Sequence, residues 1–259
     1  MSEAFKQDRI YGVFSSQEVK KVGTGTTTRK TVSKIFWFVE EQEDESIVVQ
    51  SINANYVPTG VKKTITKEVL LEKYSPEPEF YASTVYPKMK ELSDTLDSAD
   101  AARKNGEIFS AEFEYNHALK IDVGNVRANF GIGLTYLERG DTEKAKNIFD
   151  RLVNLEGAYS EEHKHLFNEF GINLRKSKMY SQATEYYNRA LALNKTDENL
   201  FINLARVHLE QKEYEECFNA LALALQISPK NEIAVKFINW LKNKNLINEK
   251  QFEQVQEYI

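Results

Sequence analysis

Small and aromatic residues recur at fixed offsets through the second half of the chain. In AEFEYNHALKID (111–122), Ala111, Tyr115 and Ala118 stand four and three apart, and in SQATEYYNRALALN (181–194) Ala183, Tyr187 and Ala190 do the same. Steps of three and four residues keep side chains on one helix face. Placing Ala111, Ala145, Ala183 and Cys217 in one slot brings Tyr115, Phe149, Tyr187 and Leu221 into register four residues on. Ala118, Leu152, Ala190 and Ala224 come three further on, and Ala99, Gly133, Gly171 and Ala205 lie twelve before. The repeats so defined start at 92, 126, 164 and 198, at spacings of 34, 38 and 34 residues. Periods of this length predict stacked helix–turn–helix units. Gly133 and Gly171 on first helices are expected to face Ala145 and Ala183 on second helices, where backbones nearly touch. Tyr136, Phe149 and Tyr187 are expected to fill the wider gaps. Gly140 supplies a left-handed stop and Asp141 a cap for the next helix.

The first third of the chain has another rhythm. KIFWFVEE (34–41) and SIVVQSI (46–52) alternate as strands around the acidic loop QEDE (42–45). YVPTGVKKTITKEV (56–69) adds a turn and a third strand, and Thr66 can cap a short helix over 67–74. Ile35, Trp37 and Val39 point to one face of the sheet and Phe36 and Phe38 to the other, so both faces need cover. The first helices of the array, a partner strand or a homodimer contact could provide it. Pro76, Pro78 and Pro87 mark a boundary over 74–88. The expected organisation is an extended arm (1–33), a small β-rich domain with one short helix (34–88) and a helical array with a C-terminal cap (89–259).

The slots of ANFGIGLTYLERGDTEKAKNIFDRLV (128–153), LFNEFGINLRKSKMYSQATEYYNRALAL (166–193) and NLARVHLEQKEYEECFNALALALQISP (203–229) resemble the tetratricopeptide repeat family. The likeness runs over about 92–231. Ser98 and Ala102 depart from it, in slots that the family usually gives to leucine and tyrosine. The resemblance implies a mainly α, right-handed α-solenoid of about four repeats with capping helices, α+β overall once the small N-terminal antiparallel sheet is included. A stack needs an end piece over its last apolar face. Residues 231–246 and 248–259 suit that role, with Trp240, Phe252 and Tyr258 as its packing.

Composition narrows the chemistry. Among 259 residues, 41% are hydrophobic and the formal charge is −5, which suits a folded protein without a basic nucleic-acid footprint. Up to Lys88 there are 12 basic and 12 acidic residues, so the whole negative balance belongs to the remainder. One cysteine cannot make an intrachain disulfide. With no apolar leader at the N-terminus and no membrane-length apolar run, a cytoplasmic location is the expectation. KKVGTGTTTRKT (20–31) is not a P-loop, because no lysine stands directly after Gly25. His163 and His165 diverge on a helix and do not share one ion. His208 and Cys217 occupy packing slots. No Ser-His-Asp, HExxH or paired-carboxylate pattern is present, and neither cofactor nor metal is expected.

What remains is surface. By the resemblance, first helices line a concave groove, whose residues here include Arg127, Phe130 and Leu134 in repeat two. Repeat three adds His165, Asn168, Ile172 and Arg175, and repeat four adds Asn199, Ile202, Arg206 and Leu209. Apolar members would hold side chains of a peptide, asparagines its backbone and arginines its carboxylates. The Lys/Asn/Asn/Lys/Arg clamp with which some members grip a Glu-Glu-Val-Asp tail has no match. The expectation is a non-enzymatic adaptor or scaffold that binds an apolar, partly acidic protein segment, without membrane contact. Two alternatives stand beside it. One is a nucleic-acid-associated protein using Lys20, Lys21, Arg29, Lys30, Lys62 and Lys63; the local charge balance of zero weighs against it. The other is a regulatory subunit of an enzyme complex.

Overall fold

The computed structural model describes residues 9–22, 29–159 and 163–259. It divides into two compact units, Met1–Ala128 and Asn129–Ile259. Among the described residues the first holds an antiparallel sheet of order β4-β3-β2-β1-β5. The strands are β1 (Tyr11–Val22), β2 (Arg29–Glu41), β3 (Ile47–Ile52), β4 (Pro58–Ile65) and β5 (Ser75–Pro76). The sheet thus begins at Tyr11. Most of the stretch expected as an arm is β1 and the start of β2, paired from Tyr11 opposite Glu40 to Val22 opposite Arg29. Strand β1 carries Gly12, Ser15, Ser16 and a charged tail, so its alternation is hard to see, and β2 supplies the hydrogen bonds that make it a strand. Gly23 and Gly25 lie outside the described residues.

The acidic loop is the β2–β3 turn, closed by Gln42 N–H donating to Ser46 O at 2.8 Å. Helix α1 (Lys67–Lys73) is capped as the sequence predicts, with the Thr66 hydroxyl accepting from Val69 N–H. It covers one sheet face, where Val39, Ile47, Val49 and Leu70 are buried and Trp37 packs alongside. The other face buries Val13 and Phe38 against Val85, with Phe36, Phe80, Tyr81 and Met89 around them. These last residues come from α2 (Pro78–Phe80), a π turn (Tyr81–Val85) and the start of α3 (Tyr86–Lys104). Pro87 therefore lies inside a helix, near its first position. The wider π turn sits where the proline's missing N–H would leave a carbonyl unpaired.

The boundary between units falls about forty residues beyond 88, and two sets of contacts explain it. The sheet rests on α3. The β3–β4 turn also satisfies the end of α4 (Ile108–Ile121): Asn53 and Asn55 amides donate to Ile121 O at 3.0 and 2.8 Å, and Thr59 donates to Asp122 at 2.8 Å. Carbonyls in the last turn of a helix have no partner within it, so these bonds matter to both elements.

From α3 on, helices alternate in the predicted register. They are α5 (Val126–Arg139), α6 (Thr142–Val153), α7 (Lys164–Lys176), α8 (Tyr180–Leu193), α9 (Glu198–Gln211) and α10 (Tyr214–Ile227), then α11 (Glu232–Asn243) and α12 (Glu249–Val255). First helices begin at 126, 164 and 198, as expected, whereas α3 begins six residues before 92. Gly106, Gly140, Lys178 and Lys212 all have φ between 61° and 78°. They occupy one slot of the four repeats, the point where each first helix ends.

Asp141 caps α6 through Lys144 N–H at 3.2 Å and pairs with Arg139 at 2.8 Å. These two bonds, Arg139 first, hold its carboxyl below the ordinary value. A depressed carboxylate adds stability above its unfolded pKa and loses it as pH falls through the folded one. Asp141→Ala is therefore expected to lower the thermal midpoint at pH 7. The gap to the parent should close in acid below the ordinary carboxylate pKa, as read by circular dichroism melts across pH.

In the cap, Phe252 and Tyr258 pack on a core that includes Ile238, Leu241 and Val255. Trp240 does not share in it. It is 42% exposed, edge-on to Phe237.

Candidate functional site

The glycine slots make close approaches, but not to the alanines expected. A Cβ on Gly133 would stand 2.7 Å from Phe170 and 3.0 Å from Ile148. One on Gly171 would stand 2.6 Å from both Cζ and Oη of Tyr187. Ala145 and Ala183 are buried nearby in sequence register, yet the glycines make room for ring edges. The helix period places small residues on the right face without saying which neighbour fills the space.

In the second unit, α7 presents Asn168, Ile172 and Arg175 at steps of four and three, and α9 presents Asn199, Ile202, Arg206 and Leu209 at similar steps. Arg175 and Glu210 form an ion pair that ties the two stripes, and Tyr180 donates to the other oxygen of Glu210 at 3.2 Å. Arg206 donates to Asn203 at 2.9 Å and has no carboxylate partner among the described residues. Beneath lies Tyr187, fully buried, its hydroxyl without a hydrogen-bond partner. Burial holds that phenol well above its usual range, against the opposing pull of Arg175 and Arg206. Both guanidinium groups therefore act on one point below the face. Asn168 Oδ1 is shielded from solvent and accepts no hydrogen bond.

Three expected groove residues are not available. Phe130, Leu134 and Ile202 are 0%, 0% and 2% exposed. Phe130 packs edge-on against Phe170, with ring centroids 5.8 Å apart, and Ile202 belongs to the core around α10 and α11. Their slots are apolar because they seal the helix pair. Half-buried Ile172 and Leu209 are left as the apolar contacts, with His165 and Asn199 at the rim. In the first unit, Arg127 donates to Asp97 and Asp100 at 2.8 Å each, and Tyr115 donates to Asp100. That arginine is held by its own chain.

Sequence reasoning missed Tyr186. It is the hub of Phe149, Tyr159, Phe167, Phe170 and Tyr187, stacked on Phe167 with centroids 4.7 Å apart. Its slot holds Glu114, Ile148 and Ala220 in the other repeats, so no pattern announced it.

The remaining candidates are quiet. Burial pushes the Cys217 thiol up to about 12, which leaves it protonated at neutral pH. His208 Nδ1 lies 2.7 Å from Glu213. His163 precedes the first turn of α7, where His165 lies, while Glu161 falls outside the described residues. Among the described residues no group of three or more His, Cys, Asp or Glu is placed to hold a metal. No helix among them is long and apolar enough to cross a membrane. Lys20, Lys21, Arg29 and Lys30 fall at the far end of the β1–β2 hairpin, with Lys21 opposite Lys30.

Family models described as tetratricopeptide repeat match residues 127–156 and 174–236. The TPR repeat-containing protein MJ1428 of Methanocaldococcus jannaschii is 23% identical over 222 residues, 76% of this chain and 37% of that protein. The Hsp70/Hsp90 co-chaperone CNS1 of Saccharomyces cerevisiae is 38% identical over 69 residues, 25% of this chain and 18% of that one. This chain thus spans well under half of either relative. The crystal structure of MamA protein superposes with a TM-score of 0.48 at 24% identity, covering 64% of this chain and 91% of that chain. Helix pairs in one register, a left-handed residue at the same slot of each and matches over both segments show tetratricopeptide repeats within residues 127–156 and 174–236 of this chain.

Proposed function

We propose that the chain is a non-enzymatic interaction adaptor that takes up a segment of another protein on the face shared by α7 and α9. The observation that carries this reading is the buried Tyr187 hydroxyl beneath Arg175 and Arg206 and the shielded Asn168 oxygen on the same helix as Arg175, both without hydrogen-bond partners. Buried polar atoms normally have partners, and their absence marks a place a ligand can complete. Asn168 Oδ1 suits a backbone N–H of the incoming segment, and Arg206 suits a carboxylate. Ile172 and Leu209 suit one or two apolar side chains. The ligand is therefore an apolar segment with at least one acidic residue.

A displayed peptide library panned on the purified chain tests this. Enriched sequences should carry an Asp or Glu within a few residues of an apolar one. A hydrogen bond to a charged group is worth about 1.5–3 kcal/mol, so Arg206→Ala should weaken those peptides roughly ten- to a hundredfold with an unchanged melting curve. Enrichment without acidic residues, or equal affinity in the variant, counts against the face.

A further inference from the structure

The four second helices expose the same two slots, one turn apart, and three of them fill these slots mostly with polar residues. They are Glu143 and Asn147 in α6, Ser181 and Glu185 in α8, and Glu215 and Asn219 in α10, all exposed. In α4 the same slots hold Phe109 and Phe113, 76% and 69% exposed. The repeat thus supplies its own reference: nothing in the helix-pair architecture calls for aromatic residues there. Two largely exposed phenylalanine rings forgo much of the apolar burial open to them, and exposed apolar patches of this kind mark interaction sites.

The surface around them is shaped. A cleft of about 520 Å³ runs between α3 and α4, lined by Asp94, Thr95, Ser98, Phe113, Glu114, Asn116, His117 and Lys120. Ser98 takes a slot where a leucine would fill that cleft, so the departure and the aromatic pair belong together. Asp94 and Glu114 have no cation partner among the described residues, and His117 and Lys120 line the same cleft.

We propose that Phe109, Phe113 and this cleft form a second docking surface, whose occupant is an amphipathic helix carrying lysine or arginine beside its apolar face. A helix fits because Phe109 and Phe113 form an i, i+4 ridge, which interdigitates with the equivalent ridge of another helix. Basic flanks fit because Glu114, next to Phe113, and Asp94 line the cleft without a cation partner among the described residues. This surface shares no residue with the α7–α9 face.

Labelled synthetic helices provide the test, measured by fluorescence anisotropy on the full chain. One has leucines at i, i+4 and i+7 flanked by lysines, a second has glutamates in place of the lysines, and a third has the leucines scrambled. The lysine-flanked helix is expected to bind, and the other two at least about tenfold more weakly. The double variant Phe109→Glu/Phe113→Asn copies α6 and α10, so it should fold with an unchanged circular dichroism melt. It should lose at least about tenfold in affinity, although it adds a negative charge that would strengthen mere charge attraction. Asp94→Asn/Glu114→Gln should weaken the lysine-flanked helix alone. Unchanged binding in the aromatic variant, or equal binding of the glutamate helix, overturns the proposal. So does a wild-type dimer in sedimentation that the aromatic variant dissolves, which would give the surface to a second copy.

Discussion

Tyr186→Ala is expected to destabilise the chain by about 3–5 kcal/mol, the range for deleting a buried aromatic ring. The ring is 0% exposed and touches five other aromatic side chains, so the void could not be filled by a small shift of any one of them. Tyr186→Phe should behave in the opposite sense. The hydroxyl is buried without a hydrogen-bond partner, and burial drives its pKa far up. Removing an unsatisfied polar group while keeping the ring relieves a desolvation cost of about 1 kcal/mol or more. Denaturant midpoints tracked by far-ultraviolet circular dichroism separate the two. A phenylalanine variant that loses more than about 1 kcal/mol would mean that the hydroxyl is bonded in solution.

Gly171→Ala sets two effects against each other. Alanine in place of glycine inside a helix gains about 1 kcal/mol. The new methyl would stand 2.6 Å from the Tyr187 ring, itself buried and wedged against Phe167 and Tyr186. Overpacking of this kind costs about 1–3 kcal/mol, and because the ring has nowhere to retreat it should win, with a net loss of up to about 2 kcal/mol. The fourth repeat shows the remedy, pairing Ala205 with Leu221. Gly171→Ala/Tyr187→Leu copies that pair, and the cycle should show a favourable coupling of about 1–2 kcal/mol. The first repeat shows why alanine and tyrosine can coexist elsewhere: Ala99 and Tyr115 hold those slots, with the Tyr115 hydroxyl bound by Asp100. Additivity in the cycle would show that the ring shifts freely.

The register of the helices was legible because each slot obeys a local rule. Small residues at 133, 145, 171 and 183 recur at helical spacing, Gly140 takes a left-handed turn and Asp141 caps the helix after it. Lys178 and Lys212 were not legible as turn residues. They hold the same left-handed conformation, which lysine disfavours by about 1–2 kcal/mol, and the helices on either side leave the chain no other path. Strand β1 was hidden for the converse reason. Its polar tail has little preference of its own, and pairing along β2 supplies one.

The candidate site divides the same way. Arg175, Arg206, Ile172 and Asn168 were assigned by slot, and the proposed face is built on them. Phe130, Leu134 and Ile202 were found by the same rule and are sealed, because a periodic pattern fixes a direction around a helix but not what lies in that direction. Tyr186 had no repeat partner to reveal it, whereas Phe109 and Phe113 matter because their repeat partners are polar, which only their exposure brings out.

By itself, the sequence determined the helix pairs of the repeats, the strands that follow residue 34, the period of the repeats and the faces on which small and apolar residues fall. These come from backbone geometry and from interactions a few residues long. Only the tertiary structure decided which apolar slots are closed, which polar atoms are left without partners and how far the sheet and the first helix pair form one unit. Those outcomes depend on side chains far apart in sequence competing for the same space, and no local pattern records who occupies it.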